Sequence, residues 1–218
     1  ETYDKLILSP GAAPVRPPLE GIDTEGIFTL RNVNDTDRVK EYIEEHDVKR
    51  ALIVGAGFIG LEMAENLHEY GIQVSVVEMA DQVMTPVDYE IATAVHQHFK
   101  SKGVGLHLQE AVTAFRSVED GIDVVLKSGL VLQVDMVVLS IGVRPDVKLA
   151  REAGVEIGEM GGIKVNEFLQ TSQPDIYAVG DAIEFPNPVS GRPALAFLAG
   201  PANKQGRICA DNVVNGNH

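Results

Sequence analysis

Gly55-Ala56-Gly57-Phe58-Ile59-Gly60 sets three glycines at the spacing Gly-x-Gly-x-x-Gly. The hexapeptide alone is a weak signal, because the chain holds 21 glycines. Its surroundings make it specific. It follows the apolar run Ala51-Leu52-Ile53-Val54, opens a stretch of helical periodicity, and precedes a second strand that ends on Glu78, eighteen residues beyond the last glycine. In that setting the first glycine permits a tight turn, the second lets backbone approach a pyrophosphate, and the third lets helix and strand pack closely. The helix N-terminus attracts the phosphate charge. Gly55, Gly57, Phe58, Ile59 and Gly60 are therefore expected to bind a dinucleotide.

Glu78 stands where an acid accepts hydrogen bonds from the adenosine ribose hydroxyls and repels a 2′-phosphate. Between Arg50 and Lys100 there is no Lys or Arg. A site for NADPH normally supplies a cation there, so NADH is the expected nucleotide. Other reactive side chains offer less. Cys209 is the only cysteine, which leaves no internal disulfide, no Cys-x-x-Cys pair and no thiolate metal cluster, and it reads as a helix-packing residue. His96 and His98 lie two apart, on different faces of a helix, and no metal is assigned.

The elements that must position these residues follow in βαβ order. The pattern predicts a buried strand at Ala51 to Val54, a helix from about Phe58 to Tyr70 stopped by Gly71, and a strand at Val74 to Val77. Such a crossover is right-handed and builds a parallel sheet. Upstream, Asn34, Asp35 and Asp37 mark a helix entry, with Val39, Tyr42 and Ile43 as its apolar stripe. Downstream, a helix is expected from Asp88 to about Lys100. Three runs, Val112 to Val118, Ile122 to Leu126 and Leu130 to Val134, are separated by glycine turns and suggest an antiparallel meander. Further buried strands are expected at Met136 to Leu139 and at Ile176 to Val179, and a short strand near the start at Tyr3 to Leu8. The fold class is α/β: a three-layer Rossmann-like domain with a parallel sheet and an antiparallel meander.

The formal net charge of −14 argues against nucleic acid and anionic membrane as partners, since both require clustered cations. No apolar run is long enough to span a bilayer and Glu1-Thr-Tyr-Asp-Lys has no signal-peptide character, so a cytoplasmic location is expected.

Three further segments carry a resemblance. Thr171-Ser-Gln-Pro-Asp-Ile-Tyr177-Ala178-Val179-Gly180-Asp181 ends a strand on a glycine and an acid. Tyr3-Asp4-Lys5-Leu6-Ile7-Leu8 runs into Gly11-Ala12-Ala13-Pro14, and Leu198 to Arg207 starts a helix near Pro201. With the glycine motif and Leu61-Glu62, they resemble the pyridine nucleotide-disulfide oxidoreductase family over nearly the whole chain.

The resemblance implies an FAD- and NAD-binding fold. Asp181 would accept a hydrogen bond from the flavin ribityl chain, and the helix N-terminus at Pro201 and Ala202 would face the flavin pyrimidine ring. Ser9, Gly11 and Gly142 are assigned as further cofactor contacts. Phe58 would shield the flavin or pack at the helix start, and Glu62 would match the family acid that pairs with a lysine of the flavin half preceding this sequence, so that here it is expected to be unpaired. Ser9-Pro10-Gly11 departs from the family's Ala-Thr-Gly. That departure, together with Gln82-Val-Met-Thr-Pro86, looks most like the coenzyme A disulfide reductase and persulfide reductase branch, with NADH oxidase and NADH peroxidase as close relatives. A ferredoxin-type reductase is the other reading of the parent.

In the family a first glycine motif for FAD and the redox cysteine precede the point where this sequence begins, and a dimerisation domain follows its end. The expectation is a fragment of a homodimeric parent that reduces a thiol-derived disulfide or persulfide. Residues 1–31 and 146–218 would be partial FAD-domain segments, and residues 32–145 the NAD-binding domain. The chain carries no catalytic residue of its own on this reading and is expected to be silent and colourless when isolated.

Overall fold

Three strands buried on both faces decide the architecture. Along Arg50–Val54, Ala51 and Ile53 point to one side and Leu52 and Val54 to the other. Gln73–Glu78 does the same with Val74 and Val76 against Val77, and Met136–Leu139 with Met136 and Val138 against Val137 and Leu139. Strands apolar on both faces belong in the middle of a parallel sheet covered on both sides. These three lie adjacent in a five-stranded parallel sheet ordered Ile27–Thr29, Met136–Leu139, Arg50–Val54, Gln73–Glu78, Gly105–Leu108.

One face is covered by the helices Val33–Glu45, Phe58–Glu69 and Tyr89–Ser101, which contribute Val39, Ile43, Ala64, Leu67, Ala92 and Phe99 to the core. The other face carries the antiparallel meander Val112–Val118, Gly121–Leu126 and Val131–Val134, which adds Phe115, Ile122, Val124 and Leu126. Each fully buried Ile, Leu or Val contributes about 1.5–3 kcal/mol relative to exposure, so the two apolar faces hold the three layers together.

At the N-terminal end of the sheet the carboxylate of Asp135 accepts from the Lys49 and Arg50 backbone N–H groups at 2.8 and 2.7 Å and pairs with the Arg50 guanidinium at 2.6 Å. Burial alone would raise the Asp135 pKa. The guanidinium and the two amides outweigh it and hold the pKa below the ordinary carboxylate value.

The computed structural model describes residues 2–217, and the chain folds into two compact units. The larger is Pro14–Gly142; the other is built from the segments that flank it. The larger unit begins before the expected boundary at residue 32. Ile27–Thr29 is an edge strand of its sheet, and Phe115 N–H donates to the Glu20 carbonyl at 2.8 Å. Glu20 and Ile27–Thr29, expected to lie in a flavin-domain segment, thus pair with strands of the larger unit.

Smaller departures have local causes. The helix expected near Asn34 is capped by Asn32, whose side chain accepts from Asp35 N–H while Asp35 accepts in return. The edge strand Gly105–Leu108 had no sequence signal, because all four residues are only half-buried. The first strand covers only Leu6–Leu8, paired in parallel with Ile176–Ala178.

In the flanking unit these two strands, the short sheet formed by Ile163–Lys164, Ile183–Pro186 and Pro193–Ala194, and the helix Ala199–Asn215 enclose a second core. Ile163, Ala178, Ala182, Ile183 and Cys209 lie at its centre.

Candidate functional site

In open parallel sheets ligands bind beyond the carboxyl ends of the strands. In the larger unit those ends bring together Gly55, Glu78 and the Ser140-Ile141-Gly142 segment, because Val54 lies opposite both Val77 and Leu139 in the register. Gly55 has φ +101°, and a Cβ there would lie 2.5 Å from the Ser140 carbonyl oxygen. A Cβ on Gly60 would lie 2.0 Å from the Gly55 carbonyl oxygen. Gly57 differs from both: a Cβ there would meet nothing within 4 Å. The first and third glycines are thus required by the protein's own packing, and the second leaves space for something the chain does not fill.

Gly57 is also the N-cap of Phe58–Glu69 and brings no side chain to cap it, so the first-turn N–H groups are left for an outside acceptor. The space and the donors fit a pyrophosphate. Phe58 and Ile59, 56% and 38% exposed, stand at the rim of the turn, so the Phe58 ring does not pack into the core. Glu62 lies exposed on the same helix.

Glu78 is more than a free acid at a strand end. Its Oε2 accepts from Ala56 N–H at 2.8 Å and its Oε1 from Ala80 N–H at 2.9 Å, so it fastens the glycine turn while lying beside it. Ser140 carries no signal in the sequence. Its hydroxyl donates toward the Val54 and Gly55 carbonyls, at 2.9 and 2.8 Å, and sits where a Cβ on Gly60 would come within 2.6 Å of it. Only the pairing of distant strands reveals this. Gly142, at φ +104°, faces open space.

The flanking unit repeats the arrangement on a smaller scale. Leu8 and Ala178 are paired, and Val179 N–H donates to the Leu8 carbonyl at 3.0 Å, which puts Ser9 beside the turn Gly180–Ala182 that carries half-buried Asp181. Gly11, at φ +76°, faces open space, and its carbonyl accepts from Asp146 N–H at 2.9 Å. The start of Ala199–Asn215 adjoins the same turn. Gly180 N–H donates to Gln205 Oε1 at 2.8 Å, and a Cβ on Gly180 would lie 3.8 Å from that of Ala202. Pro201 is the third residue of that helix, where its missing N–H leaves no intrahelical bond unmade. The strand end before Ser9, the turn that carries Asp181 and the helix that has Pro201 and Ala202 in its first turn are thus neighbours.

Cys209 is fully buried, and burial pushes its thiol pKa up. It is expected to stay unmodified by an aromatic disulfide reagent in the native chain and to release about one equivalent of thiolate product in denaturant. Rapid native labelling would contradict this placement. Among the described residues no group of three or more His, Cys, Asp or Glu could hold a metal, and no helix is long and apolar enough to cross a membrane.

The sequence matches the family model described as pyridine nucleotide-disulphide oxidoreductase over residues 1–202. A curated NADH oxidase of Methanocaldococcus jannaschii is 40% identical over 212 residues, which cover 97% of this chain and 47% of that protein. The solved structure of reduced CoADR-RHD of Bacillus anthracis has a TM-score of 0.95 and 52% identity, with 99% of this chain and 39% of the other covered. The NAD-dependent persulfide reductase from A. fulgidus has a TM-score of 0.94 and 39% identity, covering 99% of this chain and 40% of the other. The chain spans about half the length of the curated relatives it matches.

Proposed function

The chain belongs to the pyridine nucleotide-disulphide oxidoreductase family, and on that premise we propose that its larger unit is the NADH-binding part of an FAD-dependent enzyme that reduces a coenzyme A-type disulfide or persulfide. One observation carries the nucleotide assignment. Of the three glycines in the turn, only Gly57 is not needed by the chain's own packing, and the room it leaves lies at an uncapped helix N-terminus.

On this reading the first-turn N–H groups of Phe58–Glu69 bind the pyrophosphate, and Glu78 bonds the adenosine ribose hydroxyls. Ser140 keeps the turn in shape, and Ser9, Gly11, Asp181, Pro201 and Ala202 contact the flavin. FAD, when bound, supplies the relay of two electrons from nicotinamide to disulfide. Buried Cys209 is not the thiol that receives them. The assignment of residues 32–145 to nucleotide binding and of both flanks to flavin, the homodimer and the cytoplasmic setting belong to the same proposal. The NADH oxidase named among the relatives favours oxygen as a second acceptor.

Titration calorimetry on the purified chain tests the nucleotide. NADH is expected to bind at least about tenfold more tightly than NADPH, because a 2′-phosphate would meet the Glu78 carboxylate with no Lys or Arg between Arg50 and Lys100 to offset it. Equal or tighter NADPH binding would mean that Glu78 does not select the nucleotide.

A further inference from the structure

The loop of residues 79–88, which joins Glu78 to the helix Tyr89–Ser101, borders the glycine turn and holds a strained residue. Met84 has φ +51°, a left-handed conformation that a residue with a side chain adopts only when its surroundings impose it. Two hydrogen bonds impose it. Met84 N–H donates to the carbonyl of Ala56, inside the glycine motif, at 2.9 Å, and the preceding Val83 N–H donates to His96 Nε2 at 3.1 Å.

Val83 is fully buried, so without the imidazole its N–H would have no water to turn to. A backbone N–H can only donate. His96 Nε2 is therefore the acceptor of this bond. The Tyr89 ring meets it edge-on at 6.3 Å between centroids, so the ring is placed by its own helix as well as by the loop.

Ala56 joins this loop to the acid. Its N–H binds Glu78 Oε2 and its carbonyl binds Met84 N–H, while Glu78 Oε1 holds Ala80 N–H at the start of the same loop. Glu78, Ala56 and the loop thus form one hydrogen-bonded circuit, and His96 fixes the loop from the helix side.

We propose that His96 is a positioning residue for the adenosine end of the bound nucleotide, acting through Val83 and Met84 to hold Ala56 and Glu78 in their binding arrangement. This rests on the NADH reading above. It gives His96 a role that neither its spacing from His98 nor any metal accounts for.

The test compares His96→Leu, which keeps apolar bulk and removes the acceptor, with His96→Gln, whose carbonyl reaches the position of Nε2. Binding of NADH and of ADP-ribose to the whole chain is titrated, and hydrogen exchange is followed at residues 83 and 84. His96→Leu is expected to weaken both ligands alike, by roughly 5- to 10-fold, the size of one lost hydrogen bond, and to speed exchange at those amides. His96→Gln is expected to restore both readouts.

If His96→Leu speeds exchange but leaves affinity unchanged, the positioning role is overturned. It is overturned as well if His96→Gln recovers thermal stability without recovering affinity. Failure of the parent chain to bind NADH at all would strike the nucleotide reading itself, a result distinct from either.

Discussion

Gly57→Val is expected to bind NADH at least about 100-fold more weakly than the parent chain, equivalent to losing one or two charge-assisted hydrogen bonds of about 1.5–3 kcal/mol each. The variant should melt within a few degrees of the parent. Gly57 has ordinary φ of −78° and open space beyond its Cα, so the folded chain accepts a side chain there without a clash. A branched side chain would instead fill the approach to the N–H groups of Phe58–Glu69, which are the donors a pyrophosphate needs. Calorimetric titration with NADH, beside thermal melts of both proteins, checks both halves. A folded variant with parental affinity would show that the phosphate does not bind at this turn.

That part of the site was legible in the sequence because glycine identity itself encodes it. A turn with φ +101° at Gly55 and a helix packed onto it at Gly60 exclude side chains, and no other residue type at those positions would satisfy the backbone. Glu78 was legible for a related reason, since its distance from the glycines is fixed by one helix and one strand. The three-layer order followed from strand runs apolar on both faces and from the glycine turns of the meander.

Contacts set by distant pairing were not legible. Ser140 reaches Gly55 only because Leu139 lies opposite Val54, and no local pattern announces that register. His96 binds a backbone N–H from a loop whose path depends on Met84 adopting a left-handed conformation, which sequence favours for glycine or asparagine and not for methionine. Two-residue strands such as Ile163–Lys164 carry too little periodicity to be recognised, and their placement comes from the core they join.

Gly60→Ala should give the opposite phenotype to Gly57→Val, although both sit in the same six-residue motif. The added methyl would lie 2.0 Å from the Gly55 carbonyl oxygen and 2.6 Å from the Ser140 hydroxyl, and the first of these is backbone with no rotamer to move. Either the helix start must retreat from the strand or the Gly55 turn must open. Both lose the packing of Ala64 and Leu67 against the sheet. Overpacking costs about 1–3 kcal/mol, the approach to backbone puts this case near the upper end, and a gain of about 1 kcal/mol in helix propensity from glycine to alanine leaves a net loss of about 2 kcal/mol. The chain should then melt about 4–8 °C lower. Removing the hydroxyl as well, in Gly60→Ala with Ser140→Ala, relieves the second clash but not the first, so only a minor share of the loss should return. Full recovery in the double variant would mean that the side chain of Ser140, and not the turn backbone, is what requires glycine at position 60.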